Sequence, residues 1–118
     1  MRRLLMTVIC AFGLSAGSAA AEFTKIDDAE TFRSVISGKT LSRPFIRLQV
    51  SPGGTISGKG LSWPVTGNWT WQDGFFCRDL TWGDSELGYN CQEVRLNGGK
   101  IRFRSDRGTG DFADFSLN

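Results

Sequence analysis

The sequence predicts a mainly β domain: an antiparallel meander of about eight strands, closed as a small barrel or strongly curled as a sheet, with one short N-terminal helix after a signal peptide. Three observations predict it. From Thr40 onward, short runs rich in aromatic and β-branched residues alternate with glycine turns. Two of those turns, Asp73-Gly74 and Asn97-Gly98, have the chemistry of two-residue hairpins. Only one stretch, Asp27 to Ser37, carries a helical apolar period. Closure is favoured over an open sheet because unpaired edges invite pairing with other chains.

The chain opens with Met1-Arg2-Arg3, an uncharged apolar run from Leu4 to Leu14, and small residues from Ser15 to Ala21. That order, ending in Ala19-Ala20-Ala21, is the pattern of an export signal cleaved after Ala21. The apolar run is shorter than the roughly 20 residues a membrane-spanning helix needs. Residues 1–21 are therefore expected to be a signal peptide. Residues 22–118 then form a single β-rich domain, periplasmic or secreted, with no transmembrane segment.

Asp27 is expected to cap the helix, with Glu30 as its capping-box partner, and Gly38 to follow the last turn. Phe32, Val35 and Ile36 give it one apolar stripe, suited to plugging or flanking the main body. The expected strands are Pro44–Val50, Thr55–Lys59, Leu61–Val65, Gly67–Gln72, Phe75–Trp82, Gly88–Leu96, Lys100–Ser105 and Asp111–Leu117. Pro44 should open its strand and Pro64 should lie near a strand end. A turn at Asp73-Gly74 pairs Trp71 with Phe76 and Trp69 with Arg78. Trp69, Trp71, Phe76, Arg78, Leu80 and Trp82 then share the core face. A turn at Asn97-Gly98 pairs Val94 with Ile101 and Gln92 with Phe103.

Charge and composition exclude several functions. The chain has 14 basic and 12 acidic residues, but Arg2 and Arg3 lie in the leader, so the exported part is formally neutral. Nucleic-acid binding is not expected of it. Lys39, Arg43, Arg47 and Lys59 fall between Thr31 and Gln72, a stretch without an acid. They read as a solvated face or as a docking patch for an anionic envelope component. The chain has no histidine, which removes Ser-His-Asp and Cys-His catalysis and any histidine zinc site. Asp84 and Glu86 are the nearest carboxylate pair, in an expected exposed loop. The acids between Asp106 and Asp114 lack the alternation of a calcium loop and read as a glycine-rich turn. No cofactor and no catalytic residue is expected. Cys10 leaves with the leader, and Cys77 and Cys91 are expected to form a structural disulfide.

Arg78 is the leading site residue, because the alternation sets a guanidinium on an aromatic face. The first expectation is structural: its stem packs on Trp69 and its head reaches a barrel mouth or a carboxylate. The second is recognition of an anion in a ligand cavity. Trp63, Trp69, Trp71, Phe76 and Trp82 fill a core or line a pocket, and so small a domain calls for them inside. The candidate ligand-binding set is Arg78, Trp69, Trp71, Trp82 and Gln92.

Gly67 to Arg78 (GNWTWQDGFFCR), the stretch Gly88-Tyr89-Asn90-Cys91-Gln92, and Asp106-Arg107-Gly108 together resemble short exported bacterial proteins of unknown function. Some of these carry the label dihydrodipicolinate reductase. A reductase of that class needs a dinucleotide-binding βαβ unit and a histidine-bearing motif, and this chain has neither. The resemblance therefore implies an exported module rather than reductase chemistry. Gly67-x-Trp69 is also similar to the G-x-W of lipocalin-like barrels and of small secreted inhibitors with that fold, which implies a fold analogy. Three functions follow in order of expectation: a module binding a small anionic ligand or envelope component, a protein-interaction module such as an inhibitor or assembly factor, and an enzyme.

Overall fold

The structure is a computed structural model that describes residues 22–118; the expected signal at 1–21 lies outside them. The chain runs β1 (Thr24–Lys25), α1 (Ala29–Ile36), β2 (Leu41–Arg43), β3 (Ile46–Val50), β4 (Thr55–Gly60), β5 (Trp63–Gln72), β6 (Phe75–Trp82), β7 (Ser85–Asn97), β8 (Lys100–Arg104) and β9 (Phe112–Leu117). Strands β2 to β9 pair antiparallel, each with the next, and β9 pairs back with β2. The result is a closed eight-stranded barrel. The ninth strand, β1, adds to β7 through Thr24↔Leu96 and Lys25↔Arg95.

The β5–β6 hairpin has the expected register, with Trp71 opposite Phe76 and Trp69 opposite Arg78. Asp73 (φ 52°) and Gly74 (φ 85°) both take the left-handed conformation that a two-residue turn demands. The β7–β8 hairpin is shifted from expectation. Asn97 pairs with Lys100 and Val94 with Phe103, so the turn is Gly98-Gly99 rather than Asn97-Gly98. The shift is two residues, so every side chain keeps its face. Val94, Ile101 and Phe103 are all buried as expected.

Three strand assignments need correction. Pro44 does not open a strand; with Phe45 it forms the turn between β2 and β3, and β2 itself precedes the proline. The two runs Leu61–Val65 and Gly67–Gln72 are one strand, β5. Gly67 does not open a strand; it lies inside β5 and lets two backbones meet, since a Cβ there would collide with the Asp79 carbonyl oxygen. Gly58 does the same against Arg47 O at 2.0 Å. These two contacts let the sheet bend tightly enough to close.

The helix also begins later than expected. Asp28, not Asp27, stands at its N-cap, and no side chain caps it. Ile26 N–H is still bonded to Val94 O, which keeps the chain extended up to that point. The apolar stripe does what its sequence requires: Phe32 and Ile36 are fully buried. α1 plugs one end of the barrel, where the Phe32 ring sits 5.1 to 5.2 Å from those of Trp69, Trp71 and Phe76.

Candidate ligand-binding site

The two ends of the barrel differ. At the helix end, rings pack on rings. Trp69 Nε1 donates to Ser51 O at 2.9 Å, while Trp71 Nε1 is buried without an acceptor. Among the described residues, no helix covers the other end. There Pro44, Phe45 and Leu61, at the tips of two turns, border a mouth of about 460 Å³ walled also by Val65, Leu80, Trp82 and Leu87 among others. That volume falls in the range of small-molecule sites. Trp82 turns its polar edge away, donating Nε1–H to Gly60 O at 2.8 Å. The mouth surface is therefore apolar.

Below the mouth lies a smaller space of about 160 Å³. Leu48, Leu80 and Phe115 wall both. Here the lining changes character, because Arg78 and Gln92 contribute to it alongside Phe76 and Phe103. Alternation along β6 turns Arg78 inward between Phe76 and Leu80. Arg78 Nη1 donates to Gly88 O at 2.9 Å. Among the described residues no carboxylate lies within 4 Å of it. Burial pushes the guanidinium below its ordinary pKa, and only neighbouring Asp79 opposes this. An arginine stays charged in either case. The inner space thus contains a partly desolvated cation with donors to spare.

Arg78 stands directly opposite Trp69 across β5 and β6, but its guanidinium does not lie over that ring. The Arg33 guanidinium of α1 lies over it, 5.6 Å from its centroid, and Arg33 Nε also donates to Pro52 O. Gln92, which is buried, donates Nε2–H to Ser105 Oγ at 3.1 Å. Ser105 opens a tight turn, Ser105–Gly108, in which Asp106 and Arg107 are both left-handed. Asn90 grips that turn twice, with its Nδ2–H donated to Asp106 Oδ1 and its Oδ1 accepting Asp106 N–H, each at 2.9 Å. These bonds replace strand pairing, since β8 pairs with β7 only from Glu93 to Asn97.

Of the residues expected to bind, Arg78 and Gln92 come together on the inner wall and Trp82 lines the mouth. Trp69 and Trp71 belong to the closed end. Trp63, expected inside with the other aromatics, is exposed and lies over Gly83. The rim residues Phe45, Leu61 and Leu87 were not anticipated. The available signal was a bulky apolar residue at a turn tip, with proline before Phe45 and glycine before Leu61.

On the outside, Cys77 and Cys91 face each other across β6 and β7 and are disulfide-bonded. Glu93 and Asp114 are each held by an arginine: Arg95 Nε lies 2.6 Å from Glu93 and Arg102 Nε 2.7 Å from Asp114. These hydrogen bonds, more than any other influence, hold both carboxyls below the usual carboxylate range. Among the described residues, no helix is long and apolar enough to cross a membrane. Comparison with protein-family models, with curated proteins and with solved structures found no match.

Proposed function

We propose that this is an exported, periplasmic binding protein whose barrel takes a small anionic amphiphile, apolar body in the mouth and acidic head against Arg78. The observation that carries the reading is the vertical order of the cavity: apolar walls at the entrance, then a cation without a carboxylate partner beneath them. A desolvated guanidinium in such a place recognises carboxylate, sulfate or phosphate through two parallel N–H donors. Gln92 adds an amide beside it. The disulfide is consistent with an oxidising compartment.

The reading is non-catalytic. Glu93 and Asp114 are committed to arginines on the outer surface, and the chain offers no histidine to pair with a nucleophile. The test is a thermal-shift screen of carboxylated, sulfated and phosphorylated amphiphiles on wild type and Arg78→Met side by side. Methionine keeps the stem volume and removes the charge. A melting-temperature rise in wild type that vanishes in Arg78→Met, with the variant still folded, is the expected result. Equal shifts in both proteins, or none with any compound, would overturn it.

A further inference from the structure

The rim of the mouth carries two exposed apolar tips beside a group of cations. Phe45 is 78 % exposed and Leu61 59 %. Both sit at turn tips with left-handed backbone, φ 67° and 56°. Bulky side chains avoid that conformation, which asparagine and glycine adopt with less strain. Neither the core nor the turn therefore accounts for an exposed phenylalanine and leucine there. The two tips are neighbours, because Leu61 N–H donates to Phe45 O at 2.7 Å.

Cations flank them. Arg47 and Lys59 are directly opposed across β3 and β4, and the Arg43 guanidinium lies 5.7 Å from the centroid of the Phe115 ring. Arg43, Arg47 and Lys59 line one shallow hollow with Phe45 and Leu61. Among the described residues, none of the three has a carboxylate within 4 Å. The acids Asp84 and Glu86 belong to the β6–β7 tip, which adjoins the β4–β5 tip: Gly83 N–H donates to Pro64 O at 2.8 Å and Trp63 lies over Gly83. Lys39, grouped with these cations by sequence, precedes β2 at the other end.

We propose that this side of the open end docks on an anionic lipid bilayer, with Phe45 and Leu61 entering the interface and Arg43, Arg47 and Lys59 resting on the headgroups. Apolar tips beside a cationic collar are the two components that bind an interfacial protein to charged lipid. A second copy of the chain fits the same face poorly, since a two-fold contact through these tips would bring like charges together. Phe45 and Leu61 also wall the mouth, but Arg43, Arg47 and Lys59 do not, and docking does not use Arg78, so Arg78 separates docking from ligand binding.

The experiment is co-sedimentation of the protein beginning at Glu22 with two kinds of vesicle. One is phosphatidylcholine alone; the other is two parts phosphatidylcholine to one part phosphatidylglycerol. Partition onto the charged vesicles is expected to exceed that onto neutral ones by about tenfold or more, and to fall as salt is raised. Phe45→Asn with Leu61→Asn suits the left-handed turns and is expected to fold and to lose about tenfold in partition. Arg47→Gln with Lys59→Gln is expected to remove the preference for charged vesicles. Arg78→Met is expected to sediment like wild type, which separates docking from ligand binding. No sedimentation with either vesicle, equal partition on both, or an asparagine variant that sediments like wild type would overturn the proposal. So would a concentration-dependent dimer in sedimentation velocity that the asparagine variant abolishes.

Discussion

The helix end and the open end of this barrel are built from the same strands, yet they place their large side chains in opposite ways. At the helix end Phe32 sits fully buried against three rings, with a tryptophan indole bonded to a neighbouring loop. At the open end Phe45, Leu61 and Leu87 stand in solvent around a hollow, and a charged side chain lies beneath them. One end supplies the packing that a small domain needs. The other forgoes packing that α1 shows to be attainable in the same barrel. Where a protein leaves apolar surface uncovered and backbone strained, function is the first explanation to test.

The largest effect that would break this contrast is at the plug. Phe32→Ala should cost about 3–5 kcal/mol, because it empties a site walled by Trp69, Trp71, Phe76 and Phe103. Phe45→Asn, at the other end, should cost nothing and raise stability by up to about 1 kcal/mol through relief of the left-handed turn. Urea unfolding of the two variants measures both. A Phe45 variant destabilised as much as Phe32→Ala would mean that the rim is core after all.

Next in size is the disulfide. It closes a loop with a sequence separation of 14, for which chain entropy predicts about 3 kcal/mol. It also pins the part of β7 that lacks a β8 neighbour and forms one lip of the mouth. Replacing Cys77 and Cys91 together with alanine should therefore speed amide exchange from Glu86 to Asn90 more than around Trp69. Uniform acceleration would show that the lip is no weaker than the plugged end.

The smallest effect is electrostatic. Asp114 has a folded pKa below its unfolded one because Arg102 donates to it. Its stabilisation is present above the unfolded carboxylate range and lost as pH falls through the folded pKa. Asp114→Asn should remove that acid-side loss and lower neutral-pH stability by less than about 1 kcal/mol, the pair being partly exposed. An unchanged acid profile would remove the ion pair from the account.

Much of the barrel was legible because period-two alternation and a two-residue turn fix faces and register together. Trp69, Phe76 and Arg78 were placed correctly on that basis. At Asn97-Gly98-Gly99 three turn formers in a row left the register open by two residues, which changed partners but not faces. Closure was harder. It depends on β2, three residues ahead of a proline, and on its pairing with β9 at the far end of the chain, and no local pattern encodes either. The expected strand number matched the barrel's only because a missed strand, β2, offset a split one, β5. The site divided in the same way. Arg78 and Gln92 point inward by alternation, so the sequence alone nominates them. Phe45, Leu61 and Leu87 become a rim only when distant turns converge on one end.

Ligand is expected to enter at the end of the barrel away from α1. The direct measurement is a chemical-shift map of the protein titrated with dodecanoate, a single-chain carboxylate of the expected kind. The account predicts shifts concentrated at Leu48, Val65, Leu80, Phe115 and the Arg78 and Trp82 side-chain N–H groups, with Phe32 and Trp69 unmoved. Shifts centred on the helix end, or saturable binding that leaves Arg78 undisturbed, would contradict it.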